Sequence, residues 1–332
     1  MAFKITLIPG DGIGPEVTGA TCKILEAAGA DVEWDTVLAG AQAAEELGDP
    51  MPDAVLDSVR RNRVGLKGPL ATPKGKGYRS ANVTLRQKLK LYTGWRPVNS
   101  LPGVASRYED VDVVVLRENT QGLYSGIEHE VTPGTIVSLK VSSDHAAERI
   151  ARWAFDYACN AGRRKITVCH KKSVLPRADG AFTDAFFEVG REYPFIKQEE
   201  MSLDDLAMGL TKDPSVFDVM LLQNLYGDII SDLCAGLVGG LGVVPGANVG
   251  DRIAVFEAVH GTAPDIAGQG IANPLAVLLS GCLMMDYVGE RSVATRVRQA
   301  VATVLERGKT LTGDLGGSAN TATFTQAIID AL

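Results

Sequence analysis

Two carboxylates stand four residues apart in the run from Asn224 to Gly240 and carry the first chemical signal of the chain. At this spacing Asp228 and Asp232 fall on one face of a helix, with their Cβ atoms about 5–6 Å apart. No basic residue lies between Asn224 and Gly250 to neutralise them. A hard cation such as Mg²⁺ or Mn²⁺ would relieve their repulsion, since it prefers carboxylate oxygens. The alternative is that both acids stabilise the positive end of the helix dipole.

Three arginines, Arg86, Arg96 and Arg117, could form a site for an anionic small molecule. Arg117 follows the predicted apolar strand 111–116, and α/β proteins usually bind ligands at the carboxyl ends of strands. Guanidinium groups bind carboxylates through paired hydrogen bonds. Because the formal net charge is −7, clustered arginines indicate a small carboxylate rather than nucleic acid. Taken singly, each arginine is better explained as a surface ion-pair partner.

Other polar side chains also allow a chemical and a structural interpretation. Lys171 follows the predicted strand 165–169 and could transfer a proton if desolvation lowered its pKa, or could simply be exposed. Tyr124 could act as a general acid or pack as an amphipathic residue. Ser80 and Asn82 could bind an anionic oxygen or cap the helix that follows them.

Two loops bear on nucleotide binding. The run 260–266 (His-Gly-Thr-Ala-Pro-Asp-Ile) follows an apolar strand and suits contacts with adenosine and ribose, although an ordinary loop is the alternative. The turn Gly10-Asp-Gly-Ile-Gly14 follows a strand and opens a helix, as a Rossmann fingerprint does, but its third glycine comes one position too early. Pro15 then suits the first helical turn. We therefore predict a tight turn there rather than a dinucleotide fingerprint.

Strands and helices alternate along the chain and would position these groups. The predicted strands are 3–9, 111–116, 135–141, 165–169, 217–222 and 252–256, and the predicted helices lie near 15–29, 39–47, 52–61, 144–161, 179–192, 228–238, 274–289 and 292–307. Such alternation is typical of an α/β protein with much parallel sheet. The segment 126–143 instead alternates polar and apolar residues around Thr132-Pro-Gly134. It predicts a β-hairpin arm that could pair with a second subunit.

Length and composition limit the class of protein. A chain of 332 residues suggests about two domains. Its five cysteines are scattered and lack CxxC spacing, which indicates reduced core residues of a cytosolic protein. The predicted strand from Phe3 leads us to expect no targeting peptide, and no apolar run reaches membrane-spanning length. We expect a cytoplasmic protein whose partners include neither nucleic acid nor a membrane.

Six motifs together resemble those of the β-decarboxylating dehydrogenases, the family of isocitrate, 3-isopropylmalate, homoisocitrate and tartrate dehydrogenases. The resemblance covers nearly the whole chain, in family order and spacing, and is closest to the NAD-dependent isocitrate dehydrogenases. The motifs are Pro9-Gly-Asp-Gly-Ile-Gly-Pro-Glu16, Arg117-Glu-Asn119, Asn224-Leu-Tyr-Gly-Asp228, Asp232, Val259-His-Gly-Thr-Ala-Pro-Asp265 and Gly313-Asp-Leu-Gly-Gly317.

The resemblance implies the isopropylmalate/isocitrate dehydrogenase-like fold, an α/β, two-domain, non-Rossmann architecture with a β-hairpin arm. Residues 1–94 and 239–332 would form the large cofactor-binding domain. Residues 95–238 would form the small domain for dimerisation and metal binding, which includes the arm 126–143. The family also implies a homodimer or higher homo-oligomer with shared active sites in the interdomain cleft. Lys171 and Asp204 would reach each site from the second subunit.

The implied reaction is the oxidative decarboxylation of isocitrate to 2-oxoglutarate and CO₂ with NAD⁺ and Mg²⁺ or Mn²⁺, a step of the tricarboxylic acid cycle. Lys171 or Asp204 would remove the hydroxyl proton, and Tyr124 would protonate the enolate at C3. The tricarboxylate would bind Thr72, Ser80, Asn82, Arg86, Arg96 and Arg117, and the metal would bind Asp204, Asp228 and Asp232. The cofactor would bind Glu257, His260, Gly261, Thr262, Ala263, Asp265, Ile266 and Asn273.

Two positions refine the cofactor prediction. Ser173 stands where many relatives have an asparagine near the nicotinamide, and serine can still form a hydrogen bond but reaches less far. NADP-dependent bacterial relatives place lysine and tyrosine where this chain has Asp265 and Ile266, and tyrosine and arginine where Gly313 and Gly317 align. Asp265 would accept hydrogen bonds from ribose hydroxyls but repel a 2′-phosphate, which predicts NAD⁺. The alternative is that Asp265 caps the next helix.

Three other functions compete with this prediction. Homoisocitrate dehydrogenase ranks second and 3-isopropylmalate dehydrogenase third, because Ser80 and Asn82 offer donors to a γ-carboxylate where an isopropyl group would need an apolar surface. A noncatalytic regulatory subunit is the remaining alternative. We would expect such a subunit to have lost a metal aspartate, the lysine or an arginine, and this chain has them all.

Overall fold

Strands and helices alternate in the computed structural model, which describes residues 2–73 and 77–332. The strands are β1 (Phe3–Ile8), β2 (Val32–Thr36), β3 (Val64–Lys67), β4 (Thr93–Asn99), β5 (Asp112–Glu118), β6 (Gly122–Thr132), β7 (Thr135–Val141), β8 (Lys165–His170), β9 (Lys197–Ser202), β10 (Val219–Leu222), β11 (Ala247–Val249) and β12 (Ala254–Glu257). The helices are α1 (Gly14–Ala27), α2 (Ala41–Glu46), α3 (Asp53–Asn62), α4 (Ala81–Lys88), α5 (Asp144–Asn160), α6 (Ala178–Gly190), α7 (Leu203–Lys212), α8 (Asn224–Leu237), α9 (Leu275–Val288), α10 (Arg291–Arg307) and α11 (Thr321–Ile329).

Every predicted strand and helix has a counterpart at its position, which confirms the α/β class. The analysis of the sequence missed β2, β3, β4, β9, β11, α7 and α11, and it placed α4 only as the helix that Ser80 and Asn82 could cap. Strands β3 and β11 are only four and three residues long and wholly buried, so they show no alternation of polar and apolar residues. Helix α4 is mostly polar and lacks a clear apolar stripe.

The large sheet has ten strands in the order β2-β1-β3-β12-β11-β4-β5-β10-β8-β9. Its two outer parts, β2-β1-β3-β12 and β5-β10-β8-β9, are parallel, as the alternation predicted. In the middle, β11 pairs antiparallel with β12 and β4, and β4 pairs antiparallel with β5. The sheet is continuous across the predicted boundary between the domains, so the division into two domains stays a prediction.

Alternating residues of β5 point into two cores, which shows that helices cover both faces of the sheet. Val113 and Val115 belong to a core that also contains residues of α7 and α8, whereas Val114 and Leu116 pack with residues of α5 and α6. Helix α9 lies inside the first core and is almost entirely buried. Among the described residues no helix has the length and apolar character needed to span a membrane.

The predicted arm is present as a separate two-stranded sheet of β6 and β7. Its turn passes through Gly134, whose φ of +78° suits glycine. The hairpin is largely exposed, and so are several of its large apolar side chains: Leu123, Ile127, Val131, Ile136, Val137 and Leu139. A two-stranded hairpin with exposed apolar residues is not stable alone and is expected to pack against something else.

The glycine-rich turn before α1 is tightly packed, as predicted. A Cβ at Gly10 would lie 2.3 Å from the Pro69 carbonyl oxygen, and one at Gly12 would lie 2.1 Å from that of Thr262. The backbone of neighbouring loops therefore fills the space that a phosphate would need at a Rossmann turn. All five cysteines are free, and all but Cys159 are buried, which agrees with reduced core residues.

Candidate active site

A cavity of about 220 Å³ brings together most of the side chains that the sequence singled out as chemical. Its polar lining comes from strands β3, β4, β5, β6 and β12, from helices α4 and α8, and from the loop after β12. The residues of this substrate cavity that bear on chemistry are Lys67, Asn82, Arg86, Arg96, Arg117, Tyr124, Asp228, Asp232, Glu257, His260 and Gly261.

The three arginines are buried, so the interpretation of them as surface ion-pair partners is wrong. Arg86 is 8% exposed, and Arg96 and Arg117 are each 4% exposed. Burial, with the positive charge of Arg117 adding to it, lowers the pKa of Arg86 to about 10. Burial also lowers the pKa of Arg96, and Arg117 again adds to the shift. A polyanion in this cavity would offset the repulsion that the neighbouring arginine adds to the effect of burial.

Arg117 explains the motif Asn224-Leu-Tyr-Gly-Asp228. Its Nε and Nη2 donate to Asn224 Oδ1 at 3.0 and 2.7 Å, and its Nη1 forms an ion pair with Asp228. A Cβ at Gly227 would lie 2.7 Å from the Arg117 Cβ and Cγ, so only glycine lets the arginine cross α8. The cation that the sequence around Asp228 lacks is therefore supplied by β5.

The helix-dipole interpretation of Asp228 and Asp232 is wrong because α8 begins at Asn224, four residues before the predicted start. Both acids lie beyond the first turn, where the dipole has little effect. Burial and the charge of Asp228 raise the pKa of Asp232. Two carboxylates that line one cavity and repel each other in this way form a donor set suited to Mg²⁺ or Mn²⁺.

Lys171 and Asp204 are not part of this cavity in one chain. They form an ion pair with each other, and their side chains are 31% and 66% exposed. Lys171 follows β8 and Asp204 lies in the first turn of α7. Among the described residues of a single chain no three acidic, histidine or cysteine side chains are grouped as a metal site. One chain thus supplies two of the three predicted metal ligands.

Tyr124 lies at the start of the arm and lines the cavity. Its hydroxyl donates to Asp228, and the Arg117 guanidinium lies 5.0 Å from the centre of its ring. Burial, followed by the hydrogen bond and charge of Asp228, raises its pKa. The side chain therefore keeps its proton at neutral pH, as a general acid must, and its polar contact shows that it is more than a packing residue.

The residues around α4 divide into one that faces the cavity and two that cap the helix. Asn82 lines the cavity, and its Oδ1 is buried without a hydrogen-bond partner among the described residues. Ser80 Oγ accepts from the Val83 amide at 3.5 Å, and Thr72 Oγ1 accepts from the Ala81 amide at 3.0 Å. Ser80 and Thr72 do not line the cavity and both accept from amides at the helix start, as the capping alternative for Ser80 predicted. Each hydroxyl keeps a proton to donate, so their contact with the substrate stays a prediction.

A second cavity of about 680 Å³ adjoins the first, because His260 and Gly261 line both. Of the predicted cofactor contacts it also includes Ala263, Ile266 and Asn273. Burial lowers the pKa of His260, which keeps its ring neutral, and its Nε2 has no partner within the described chain. The sequence analysis missed several lining residues, namely Ile13, Gly242, Ile271, Asp314, Ser318 and Ala319.

The remaining predicted cofactor contacts have different surroundings. Thr262 packs against Gly12. Asp265 is exposed, and no hydrogen bond joins its carboxylate to any described residue. It does not cap the next helix, because Asn273 Oδ1 accepts from the Leu275 amide at the start of α9. The capping alternative is therefore wrong, and the Asp265 carboxylate is available to a ligand.

Glu257 lines the substrate cavity rather than the second cavity. It forms ion pairs with Lys67 Nζ at 2.6 Å and Arg96 Nη2 at 3.4 Å. Burial alone would raise its pKa, but the charges of Lys67 and Arg96 outweigh burial and hold the pKa at about 2. The sequence analysis missed the fully buried Lys67, whose only signal was a lysine at the end of a short apolar segment.

Comparisons with known proteins identify the family. The profile of the family described as isocitrate/isopropylmalate dehydrogenase matches residues 4–332. The chain is 48% identical to the mitochondrial NAD isocitrate dehydrogenase catalytic subunit 5 of Arabidopsis thaliana, covering 98% of this chain and 88% of that one. It is 47% identical to the chloroplastic 3-isopropylmalate dehydrogenase of Solanum tuberosum, over 92% and 86%. The crystal structure of isocitrate dehydrogenase from Methylococcus capsulatus matches with a TM-score of 0.96 and 48% identity, over 100% and 99%.

Proposed function

We propose a reaction for this chain from two facts: it belongs to the isocitrate/isopropylmalate dehydrogenase family, and its arginines converge on one buried cavity. The chain is an enzyme that oxidises and decarboxylates isocitrate to 2-oxoglutarate and CO₂ with NAD⁺. Relatives that carry the name NAD isocitrate dehydrogenase support this reaction as a step of the tricarboxylic acid cycle. The observation that carries the proposal is the lining of the substrate cavity, where Arg86, Arg96 and Arg117 face Asp228 and Asp232.

The cavity suits a compact polyanion. A tricarboxylate brings three negative groups to three guanidinium groups that repel one another without it. Asn82 adds an amide whose Nδ2 can donate to a substrate carboxylate, whereas a branched apolar substituent would offer that donor no acceptor. The polar lining therefore favours isocitrate over 3-isopropylmalate.

Asp228 and Asp232 would hold Mg²⁺ or Mn²⁺, with Asp204 of a second subunit as the third ligand. When bound, the metal supplies a Lewis acid that favours loss of the substrate hydroxyl proton and stabilises the developing ketone. The two aspartates lie on successive turns of α8, so both carboxylates line the cavity. In Asp232→Asn, Mn²⁺ affinity measured by electron paramagnetic resonance should fall, while the melting temperature of the metal-free protein should hold or rise slightly. Unchanged Mn²⁺ affinity would contradict this assignment.

The protein's own groups orient the substrate and move protons. The arginines fix the carboxylates, and Tyr124, which keeps its proton, donates it to C3 of the enolate that decarboxylation leaves. Lys171 or Asp204 of a second subunit accepts the hydroxyl proton. Tyr124→Phe should slow decarboxylation of the ketone intermediate more than it slows hydride transfer. Equal losses in the two partial reactions would refute the role of Tyr124.

The chain is proposed to act as a homodimer or higher homo-oligomer. Lys171 and Asp204 lie outside the cavity of their own chain, and the arm exposes a row of apolar side chains. Met208 on α7 and Ile229 on α8 are also exposed, on two helices that contact each other. Removing residues 126–143 should give inactive monomers, measured by sedimentation and turnover. Active monomers would contradict the shared site.

NAD⁺ is the proposed cofactor, because Asp265 offers a free carboxylate to ribose hydroxyls beside the second cavity. Cytoplasmic location also remains a proposal, resting on five free cysteines in a protein with no disulfide. Mitochondrial enzymes among its relatives make cell fractionation the test of location. Recovery of the protein in the mitochondrial fraction would contradict the proposed cytoplasmic location.

A second candidate activity is 3-isopropylmalate oxidation, favoured by the identity to the chloroplast enzyme. Measuring kcat/KM for isocitrate, homoisocitrate and 3-isopropylmalate with NAD⁺ and NADP⁺ decides the substrate. We expect isocitrate with NAD⁺ to give the highest value. Faster turnover of another substrate would overturn the proposal, and the absence of turnover by the homogeneous chain would favour a regulatory subunit.

A further inference from the structure

Asn248 joins Asn119 to Glu257, a residue that lines the substrate cavity, through its side-chain amide. It lies on β11, in register with Gly94 of β4, and Gly94 is in turn in register with Arg117 of β5. Asn248 Oδ1 accepts a hydrogen bond of 2.9 Å from Asn119 Nδ2, which reaches over the intervening strand. A Cβ at Gly94 would lie 2.9 Å from Asn119 Oδ1, so glycine is what lets the two amides meet.

The other end of the same amide holds Glu257. Asn248 Nδ2 donates to Glu257 Oε1 at 2.5 Å, and both residues are buried. Arg96 Nη2 donates to the same oxygen at the longer distance of 3.4 Å. Lys67 pairs with the other oxygen, Oε2, at 2.6 Å. The closest donor to Oε1 is therefore the neutral amide, and Arg96 makes the longer contact with the same oxygen.

A second glycine, Gly246, leaves the space through which the Arg96 side chain reaches Glu257. A Cβ at Gly246 would lie 2.3 Å from Arg96 Nη1, so the guanidinium lies directly over this residue of the chain leading into β11. Arg96 Nη1 also donates to the Ala247 carbonyl oxygen at 3.1 Å. Arg96 and Glu257 therefore line the same cavity, and the guanidinium bonds both to Glu257 and to the backbone of β11.

We propose that Asn248 is a positioning residue that sets the affinity for the tricarboxylate, because it occupies Glu257 Oε1 and leaves Arg96 free to bind the substrate. This inference rests on the proposed function of the cavity. Without the amide donor, the ionised Glu257 takes Arg96 as its replacement donor, since a buried carboxylate oxygen without a partner is unfavourable. Arg96 then forms a closer ion pair with Glu257 and binds the substrate less well. Asn119 fixes the direction of the amide, because its own donor occupies Asn248 Oδ1.

Asn248→Leu removes the donor at similar size and tests the proposal. Titration calorimetry of isocitrate into the Mg²⁺-loaded protein without NAD⁺ should show affinity about tenfold weaker than wild type. The KM should rise by a similar factor while kcat changes less than about threefold, because Asn248 does not touch the reacting atoms. Asn248→Ala introduces a smaller side chain and replaces the leucine variant if that variant does not fold. It should also lower the affinity for isocitrate.

Two comparisons separate this role from a general loss of structure. Asn62→Leu is the matched control, since Asn62 Nδ2 donates to the Asp35 carboxylate at 2.8 Å outside the cavity, and it should leave isocitrate affinity unchanged. In a Glu257→Gln background, Asn248→Leu should cause little further loss, because the competing charge is gone. Unchanged affinity in both Asn248 variants, or an equal loss with and without the Glu257 charge, would overturn the proposal.

The proposed function can fail independently of this inference. If wild type turns over 3-isopropylmalate but not isocitrate, the assigned reaction is wrong. The ratio of variant to wild-type affinity is then measured with 3-isopropylmalate, which also carries the malate core that Arg96 would bind. A tenfold weaker affinity in that series would still support the role of Asn248, and an unchanged affinity would contradict it.

Discussion

The substrate cavity and the Lys171–Asp204 pair differ in how completely the fold of one chain buries and orients their charged groups. In the cavity, Arg96 and Arg117 are buried, and each is held by a carboxylate. In the pair, two exposed side chains neutralise each other outside the cavity. Buried charges must be fixed by the fold at a cost in solvation, whereas an exposed ion pair contributes little and opens easily.

Under the proposed function, this difference would divide the site between two subunits. The fold of one chain already brings together the three arginines, Tyr124, Asp228 and Asp232. Lys171 and Asp204 are exposed, where a second chain would engage them after assembly. A substitution in the cavity should therefore damage the site of the chain that carries it. A substitution in the exposed pair should instead damage the site of the second subunit.

Breaking the substrate cavity should have the largest effect. Arg117→Leu leaves Asp228 without its cation and the substrate without a guanidinium fork. We expect kcat/KM to fall about a thousandfold, in line with about 3–5 kcal/mol for one partner lost from a buried pair. Steady-state kinetics measures this fall, on protein whose folding has been checked by circular dichroism. Arg117→Lys keeps the positive charge but loses the guanidinium fork, so its kcat/KM should lie between those of wild type and the leucine variant. A fall below tenfold in the leucine variant would show that the cavity does not bind substrate through Arg117.

Asp265 gives a second comparison with the buried charges of the substrate cavity. Its carboxylate is exposed beside the second cavity and would contact the cofactor directly. The double substitution Asp265→Lys with Ile266→Tyr should raise NADP⁺ use, depress NAD⁺ use and shift the preference by about a hundredfold or more. The ratio of kcat/KM for the two cofactors gives the answer. Asp184→Lys, the same charge change at an exposed position on α6, is the control. A wild-type preference for NADP⁺ would contradict the charge argument.

The smallest effect concerns acid stability and the buried Glu257. Its pKa is lowered from 4.5 to about 2, so its contribution to stability is present above pH 4.5 and is lost as pH falls towards 2. The melting temperature of Glu257→Gln should lie below that of wild type at pH 6. We expect the gap to narrow by several degrees between pH 5 and pH 3. A gap that stays constant over this range would show that Glu257 is not held ionised by Lys67 and Arg96.

The sequence predicted the chemistry of the cavity better than its geometry. Asp228, Asp232 and the three arginines stood out by residue type and spacing, and all line the cavity. Their burial could not be predicted, because the positions of charged residues in sequence do not show whether tertiary packing will enclose them. For the same reason the cation that neutralises Asp228 was missed, since Arg117 lies more than a hundred residues away.

Short buried elements account for the other failures. Strands β3 and β11 carry Lys67 and Asn248, and each is too short to show a periodic pattern. The capping alternative for Ser80 was foreseen, but that of Thr72 was not, because the polar helix α4 shows no apolar stripe that would fix where it begins. Which subunit supplies Lys171 and Asp204 lies beyond any pattern in one chain, because it depends on assembly.

Mixing two inactive variants tests the division of the site between subunits most directly. Arg117→Leu breaks the cavity, and Lys171→Ala breaks the exposed pair. If each site combines the cavity of one chain with the pair of another, a mixed dimer contains one intact site and one doubly broken site. After unfolding and refolding together in equal amounts, about half the dimers are mixed, so activity should return to about a quarter of wild type. Activity no higher than the sum of the two separate variants would show that each chain carries a complete site of its own.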